Sequence, residues 1–178
     1  HSLGGAAVLA AAPKIPETRA VATIGAPFDP AHVLRLIKGP LDGITGEAEI
    51  EVEIAGRPFR IRRQFLEDIG AQKLHEVVAH LKKALLVMHS PRDTVVDIEN
   101  AGRIFTAAKH PKSFVSLDPS DHLVSRREDA KYCGHVLAAW AERYLEAKSE
   151  QLPAAPEGKV LVQETLEGPF TEQIIVGR

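Results

Sequence analysis

The feature that most constrains the fold of this chain is an alternation of short apolar runs with amphipathic helical segments. Residues 20–26, 84–89 and 113–117 are almost wholly apolar, as strands buried on both faces are. Residues 73–83 and 97–108 carry their apolar side chains at helical spacing. Strands that alternate with helices predict a parallel α/β sheet with right-handed crossovers.

A longer helix is predicted after the third strand, over about 126–148. Ser125, with Glu128 three positions later, predicts a capping box at its start. We interpret the apolar stripe along this helix as core packing; its members are Tyr132, Val136, Leu137, Trp140, Tyr144 and Leu145.

An insertion follows the first predicted strand. Residues 48–54 alternate polar and apolar side chains and lead through Gly56 into residues 58–62. This pattern predicts a hairpin with one polar face. We expect the insertion, about 46–66, to form a small lid.

A second interruption lies near the end of the chain. Residues 149–158 are rich in proline, which is typical of a linker. Residues 159–164 and 170–176 predict two more strands, and two strands alone are marginally stable. We therefore expect one domain over 1–148 and the truncated start of another over 159–178.

Composition excludes several classes of function. The net charge is −2, from 22 basic and 24 acidic residues, so the chain lacks the basic character of a protein that binds nucleic acid or an anionic membrane. No run approaches the roughly 18 apolar residues of a membrane span. The apolar start lacks the basic region of a secretory signal peptide. The single cysteine, Cys133, fits a reducing, cytoplasmic compartment and is most simply a small buried apolar residue.

The first residues contain a candidate nucleophile. His1-Ser2-Leu3-Gly4 matches the motif G-x-S-x-G without its first glycine, and this motif is a sharp turn that exposes the serine hydroxyl. The backbone N–H of Leu3 would then face a developing oxyanion. A glycine-rich helix start also occurs in phosphate-binding proteins, so the motif needs partners downstream. Because the chain begins inside the motif, without an initiator methionine, we expect a fragment.

A serine nucleophile needs a base, and an acid that orients the base. Asp93 and His122 follow the second and third predicted strands, at the sheet edge where α/β proteins place their sites. The order Ser2, Asp93, His122 is the one expected for an α/β-hydrolase. Alternatively, Asp93 caps the following helix and His122 is an ordinary loop histidine. Asp118 and Asp121 are rival acids, although their closeness to His122 in the chain orients them poorly.

Metal and cofactor chemistry are disfavoured by the spacing of the possible ligands. The pairs His75 with His80 and Cys133 with His135 lack the spacing of a closed zinc site. The sequence also lacks G-x-G-x-x-G and a P-loop. We predict neither a metal nor a cofactor.

Residues 1–5, 86–93 and 120–123 resemble the C-terminal half of an α/β-hydrolase, of the serine aminopeptidase and lysophospholipase-like kind. This resemblance extends from residue 1 to about 148. The tail, 160–178, resembles the first hairpin of an osmotically inducible protein C (OsmC) domain. Together, with the insertion at 50–66, they resemble bacterial fusion proteins of an α/β-hydrolase and an OsmC domain.

The resemblance implies a serine hydrolase that acts on esters or related acyl bonds. Ser2 would be the nucleophile, His122 the base and Asp93 its orienting acid, with the N–H of Leu3 as one oxyanion donor. The loop that would supply the second donor is absent, so we expect the fragment alone to be inactive. OsmC-type domains reduce organic peroxides with a cysteine pair, which this chain lacks, and Cys133 does not take that role.

The expected partner is a small substrate with an acyl group, and neither nucleic acid nor a membrane. The resemblance implies a parent protein that forms a homodimer through its OsmC-like domain. Phe28, Phe59 and Phe65 either line an apolar pocket or pack in the interior. The alternative function is a catalytically silent module that binds a ligand or tethers the OsmC-like domain. Esterase and peptidase activity are not distinguished.

Overall fold

The computed structural model describes residues 1–31, 37–38, 49–54, 57–71, 73–145, 155–164 and 172–176. The chain divides into two compact units, residues 1–146 and residues 147–178.

The first unit combines a parallel sheet, an antiparallel sheet and the helices that join their strands. In chain order its described elements are α1 (Ser2–Ala11), a 3-10 turn (Ala12–Lys14), β1 (Ala20–Ile24), β2 (Ile37–Lys38), β3 (Glu49–Ile54), β4 (Arg57–Arg62), α2 (Arg63–Ala71), α3 (Leu74–Ala79), β5 (Ala84–His89), α4 (Glu99–Ala107), β6 (Lys112–Ser116) and α5 (Arg127–Ala141). Strands β1, β5 and β6 pair in parallel, in that order, which confirms the predicted parallel α/β sheet. None of the helices in the described ranges has both the length and the apolar character that a membrane crossing requires.

The middle strand, β5, is buried along its whole length. Successive side chains of a strand point to opposite faces. Leu85 and Val87 therefore join a core cluster with α1, α3 and α4, whereas Leu86 and Met88 join a second cluster with α5. Because helices cover both faces of β5, its sequence is a nearly continuous apolar run.

Helix α1 packs closely against the turn that follows β1. Leu9 and Ala6 are buried in the first core cluster. At Gly5, a Cβ atom would lie 2.6 Å from the Cβ of Ala26, a distance that side chains do not tolerate. The glycine is therefore required by the close approach of the helix to this turn.

The insertion forms an antiparallel sheet in the order β2-β3-β4, followed by α2. The predicted hairpin is confirmed: β3 pairs with β4 from Glu49 opposite Arg62 to Ile54 opposite Arg57. Val52 is buried, as is Ile61 on the facing strand, while the glutamates of β3 point to solvent. Strand β2 and helix α2 were not predicted.

Helix α5 differs from its prediction at both ends. It begins at Arg127, Arg126 is its N-cap, and no side chain caps it. The predicted capping box of Ser125 and Glu128 is wrong, because Arg126 is the N-cap and the N–H of Ser125 is donated to Asp121 Oδ1 at 2.8 Å. The helix ends at Ala141, and residues 146–148 lie outside the described ranges.

The apolar stripe of α5 is buried only along part of its length. Val136, Leu137 and Trp140 pack against the second core cluster, as predicted. Tyr132 and Leu145 are instead exposed, and Leu145 lies beyond the end of the helix.

The second unit contains a hairpin of β7 (Val160–Glu164) and β8 (Glu172–Val176). The two strands pair antiparallel, from Val160 opposite Val176 to Glu164 opposite Glu172. Two of the cross-strand pairs lie on the same face of the hairpin and are apolar. Their four side chains are exposed, namely Val160, Val162, Ile174 and Val176. Most of the predicted linker, and the residues that join the two strands, lie outside the described ranges.

Candidate active site

Ser2 begins α1 in a backbone conformation that few residues other than glycine adopt. Its φ is 51°, in the left-handed region, at the first residue of the helix. A strained turn of this kind is how a nucleophile elbow exposes its serine hydroxyl. The first hydrogen bond of the helix runs from Gly5 N to His1 O, at 3.2 Å, so the N–H of Leu3 has no acceptor within the helix.

The hydroxyl of Ser2 lies beside the imidazole of His122, which in turn contacts Asp93. Ser2 Oγ is 3.1 Å from His122 Nε2, and His122 Nδ1 is 2.6 Å from Asp93 Oδ2. Because a carboxylate can only accept, Nδ1 carries the proton and donates it to Asp93. In the neutral ring Nε2 is then an acceptor for the hydroxyl of Ser2. The three side chains thus form one directed series of hydrogen bonds.

Asp93 contacts His122 and the loop that follows Asp93, but it does not cap α4, whose N-cap is Ile98. Its Oδ1 accepts the N–H groups of Val95 and Val96, at 2.9 and 2.8 Å, while its Oδ2 faces His122. The side chain is only 1% exposed, and this burial acts to raise the pKa. Hydrogen bonds from His122, from His89 and from the two amides outweigh burial, so the pKa of Asp93 lies well below its usual value. The carboxylate is therefore ionised at neutral pH.

The rival carboxylates interact with other groups. Asp118 pairs with the guanidinium of Arg92 at 3.3 Å. Asp121 accepts the backbone N–H of Ser125, and this bond lowers the pKa of Asp121. Both side chains are exposed, and Asp93 is the carboxylate that contacts the imidazole of His122.

The sequence did not single out two residues that hold the segment around His122. Ser90 Oγ donates to the carbonyl oxygen of Ser120 and accepts the N–H of Arg92 at 3.0 Å. His1 Nε2 lies 2.8 Å from the carbonyl oxygen of His122, so this nitrogen donates. Ser90 and His1 lie near Asp93 and Ser2 in the sequence. This closeness only weakly predicts such a role, since many polar residues near a motif make no such hydrogen bond.

Gly25, at the end of β1, is a third residue that sequence reasoning missed. Its φ is 56°, and a Cβ atom there would lie 3.1 Å from Asp93 Oδ2 and 3.3 Å from His122 Nδ1. Any side chain would therefore crowd the hydrogen bond between acid and base. The glycine before Ala-Pro at a strand end was the available signal.

A cavity of about 400 Å³ adjoins the nucleophile through Leu3 and lies between α1 and α2. Such a volume is typical of small-molecule sites. Apart from Lys14 and Asp68 the lining is apolar; it comprises Leu3, Ala6, Ala7, Ala10, Ala11, Lys14, Ile15, Pro30, Phe65, Asp68 and Ile69.

The three phenylalanines considered for an apolar pocket have different surroundings. Phe65 lines the cavity. Phe28 is buried instead, with the guanidinium carbon of Arg103 4.3 Å from its ring centroid and the ring of His75 at its edge. Phe59 is exposed on β4.

Cys133 is buried on α5, as expected for a small apolar residue. Its Sγ lies 3.9 Å from Met88 Sδ. Burial raises the pKa of the thiol, which lowers its reactivity. Within the described ranges, no group of three histidine, cysteine or acidic side chains is arranged to hold a metal ion.

Several solved structures are similar to most of this chain. The esterase domain of a Rhodothermus marinus protein matches with a TM-score of 0.72 and 56% identity, over 81% of this chain and 59% of that one. Est1E from Butyrivibrio proteoclasticus matches with a TM-score of 0.61 and 18% identity, over 80% and 58%. The α/β-hydrolase GrgF from Penicillium sp. sh18 matches with a TM-score of 0.62 and 15% identity, over 80% and 61%.

These similarities identify the fold as that of the α/β-hydrolases. The chain spans less than two thirds of the length of each of these three structures. No protein-family model matches the chain, and no curated protein gives a significant match.

Proposed function

We propose that this chain carries the catalytic triad of a serine hydrolase that cleaves acyl esters through an acyl-serine intermediate. Ser2 is the nucleophile, His122 the general base and Asp93 the acid that orients the base. The observation that carries the proposal is the hydrogen-bond series from Ser2 Oγ to His122 Nε2, at 3.1 Å, and from His122 Nδ1 to Asp93 Oδ2, at 2.6 Å. The 56% identity with an esterase domain supports hydrolase activity.

In the proposed reaction, Ser2 Oγ attacks the carbonyl carbon of the ester while His122 Nε2 takes the hydroxyl proton. The ionised Asp93 stabilises the resulting imidazolium and keeps its Nδ1–H directed at Oδ2. When the C–O bond of the ester breaks, Nε2 returns the proton to the leaving alkoxide. Water, deprotonated by His122, then releases the acid from the acyl-serine and restores the hydroxyl of Ser2.

The negative charge that develops on the carbonyl oxygen needs hydrogen-bond donors. The N–H of Leu3 is free for this purpose because it precedes the first bonded amide of α1. The N-terminal end of the helix dipole also favours negative charge at this position. We assign the second donor to a segment of the parent protein outside this chain.

The cavity beside Leu3 indicates which part of a substrate this half of the site would hold. Its lining is largely apolar, and Phe65 and Ile69 of α2 close one side of it. An apolar acyl or alcohol group of an ester would bury its surface there. The proposed substrates are therefore small esters with an apolar group.

The proposal includes a longer parent protein, because the chain spans only 59% of the Rhodothermus marinus esterase structure. In that parent, residues 159–178 begin an OsmC-like domain. The antiparallel pairing of β7 with β8 is consistent with this assignment. Peroxide reduction would need a cysteine pair, and the chain has one cysteine, buried in the other unit. We therefore assign that activity to the parent alone.

Covalent labelling of the parent protein with a fluorophosphonate tests the nucleophile. We expect Ser2→Ala to abolish labelling and ester hydrolysis, because no other described serine contacts His122. The matched control is Ser116→Ala, which removes an exposed hydroxyl on β6 and leaves labelling unchanged. Labelling that does not depend on Ser2 would favour a silent ligand-binding or tethering module.

The 178-residue chain, assayed by itself, is expected to hydrolyse esters at least about 100-fold more slowly than the parent, because we assign the second oxyanion donor to the parent. Rapid hydrolysis by the isolated chain, abolished by Ser2→Ala, would contradict this expectation.

A further inference from the structure

His89, the last residue of β5, makes polar contacts that a strand residue does not need for packing. Its side chain is 0% exposed, and its Nε2 lies 2.8 Å from the carbonyl oxygen of Val96. Because a carbonyl only accepts, Nε2 carries a proton and donates it. The other ring nitrogen, Nδ1, is buried without a hydrogen-bond partner in the part of the chain that the structure describes. The ring therefore acts as a donor through Nε2.

The same nitrogen also lies close to the acid of the proposed triad. His89 Nε2 is 3.4 Å from Asp93 Oδ2, the oxygen that also accepts the Nδ1–H of His122. Val96 connects the two contacts, since its carbonyl accepts from His89 while its N–H donates to Asp93 Oδ1. The imidazole of His89 is thus hydrogen-bonded to the Val96 peptide that holds Oδ1, and it packs beside Oδ2.

From this geometry we propose that His89 is a positioning residue, which holds the carboxylate of Asp93 so that Oδ2 faces His122. This inference rests on the proposed function, because it assigns His89 to the same triad. A residue that only filled space would be better replaced by leucine, since a buried imidazole nitrogen without a partner costs free energy. The polar ring is explained by the contacts of its Nε2.

Substitution of His89 should separate positioning from packing. His89→Leu removes the donor, frees the carboxylate of Asp93 to rotate, and weakens its bond with His122. We expect kcat of ester hydrolysis to fall about tenfold with little change in KM, because misplacement affects the reacting groups and not the substrate pocket. His89→Gln, which carries an N–H near the position of Nε2, should restore most of kcat.

The control substitution is His80→Leu. The Nδ1 of His80 lies 2.9 Å from the carbonyl oxygen of Glu76, so it also bonds a backbone carbonyl, but at an exposed position after α3. Its loss should change neither kcat nor the bond between Asp93 and His122.

Proton NMR of the 178-residue chain tests the inference without any need for hydrolysis. A proton in a short N–H···O bond to a carboxylate resonates far downfield, and the signal of His122 is assigned by its loss in His122→Gln. We expect this signal to weaken or move upfield in His89→Leu, and to persist in His89→Gln and His80→Leu. An unchanged signal in a folded His89→Leu would overturn the inference.

A measurement on the unsubstituted chain covers the case in which His89→Leu does not fold. ¹⁵N-resolved spectra at pH 7 should show a proton on Nε2 of His89. An unprotonated Nε2 would overturn the inference, since this nitrogen could not then donate to the carbonyl oxygen of Val96. If these results hold while Ser2 remains unlabelled in the parent, the proposed function fails and the structural role of His89 stands.

Discussion

Two loops at the same edge of the sheet hold the candidate triad by different means. The acid loop, residues 90–96, follows β5, and the base loop, residues 117–125, follows β6. Oδ1 of Asp93 accepts two N–H groups of its own loop, and the carboxylate also lies beside His89 at the end of β5. His122, in contrast, is held through contacts with other segments, from His1, Asp93 and the turn around Ser2.

The positions of the two strands explain this difference. Strand β5 lies in the middle of the parallel sheet and is buried, whereas β6 is its outer strand in the described ranges and exposes alternate side chains. The base loop also contains Val124 with φ at 52°, a strained conformation for a β-branched residue. The carboxylate of Asp93 is therefore held in place mainly by groups near it in the chain, whereas the imidazole of His122 is held mainly by residues from other segments.

The largest effect on kcat is expected for substitution of Asp93, and it distinguishes this residue from the exposed carboxylates of the base loop. Asp93→Asn should lower kcat of ester hydrolysis about 10⁴-fold, because an amide can donate to Nδ1 of His122 and favour the wrong tautomer. Asp118→Asn and Asp121→Asn should each change kcat by less than about threefold, as exposed substitutions do. Steady-state kinetics of the parent protein measure all three. A comparable loss of kcat in Asp121→Asn would mean that Asp93 is not the acid that orients His122.

The next effect concerns the glycine that lies against both loops. In Gly25→Ala the new methyl group would meet Asp93 Oδ2 and His122 Nδ1, and we expect kcat to fall about 100-fold. The matched control is Gly102→Ala, in α4, where a Cβ atom meets nothing within 4 Å. It should leave kcat unchanged and raise the free energy of unfolding by about 0.5–1 kcal/mol. Equal kcat values in Gly25→Ala and Gly102→Ala would contradict the expectation that a side chain at position 25 crowds Asp93 and His122.

The smallest expected effect tests the ionisation of the Asp93 carboxyl group. The pKa of Asp93 is lower in the folded state than the usual 3.9 or so of an unfolded aspartate. Its contribution to stability is therefore complete above the unfolded pKa and is lost as pH falls through the folded value. When the pH is lowered from 6 to 3, the free energy of unfolding of wild type should fall by about 1 kcal/mol more than that of Asp93→Asn.

Urea unfolding at the two pH values measures this difference. The contributions of titrating groups that do not contact Asp93 are the same in both proteins and cancel. A difference that does not depend on pH would mean that the carboxylate is not stabilised as an anion.

Local patterns predicted most of the fold, and they singled out the three residues of the candidate triad. The limits of β5 were predicted correctly, because a continuous apolar run has clear ends at Lys83 and Ser90. Helix ends were less well predicted. At Ser125 the expected cap failed because a carboxylate four residues earlier took up its amide, a competition that propensity does not reveal.

The residues around the triad could not be predicted in the same way. Ser90, His1 and Gly25 act through groups that are distant in the chain, from 30 residues for the bond between Ser90 and Ser120 to 121 for the bond between His1 and His122. Nothing in the local sequence of any of them indicates such a partner. Their roles appear only when the strands are paired.

The sequence by itself determined the alternation of strands and helices, and with it the edge to which Ser2, Asp93 and His122 belong. It favoured Asp93 but left Asp118 and Asp121 as rival acids, and it did not determine why a glycine must end β1 or what a buried histidine does at the end of β5. The tertiary structure decided these points, because hydrogen bonds and close approaches depend on distances of a few tenths of an ångström between segments that only packing brings together.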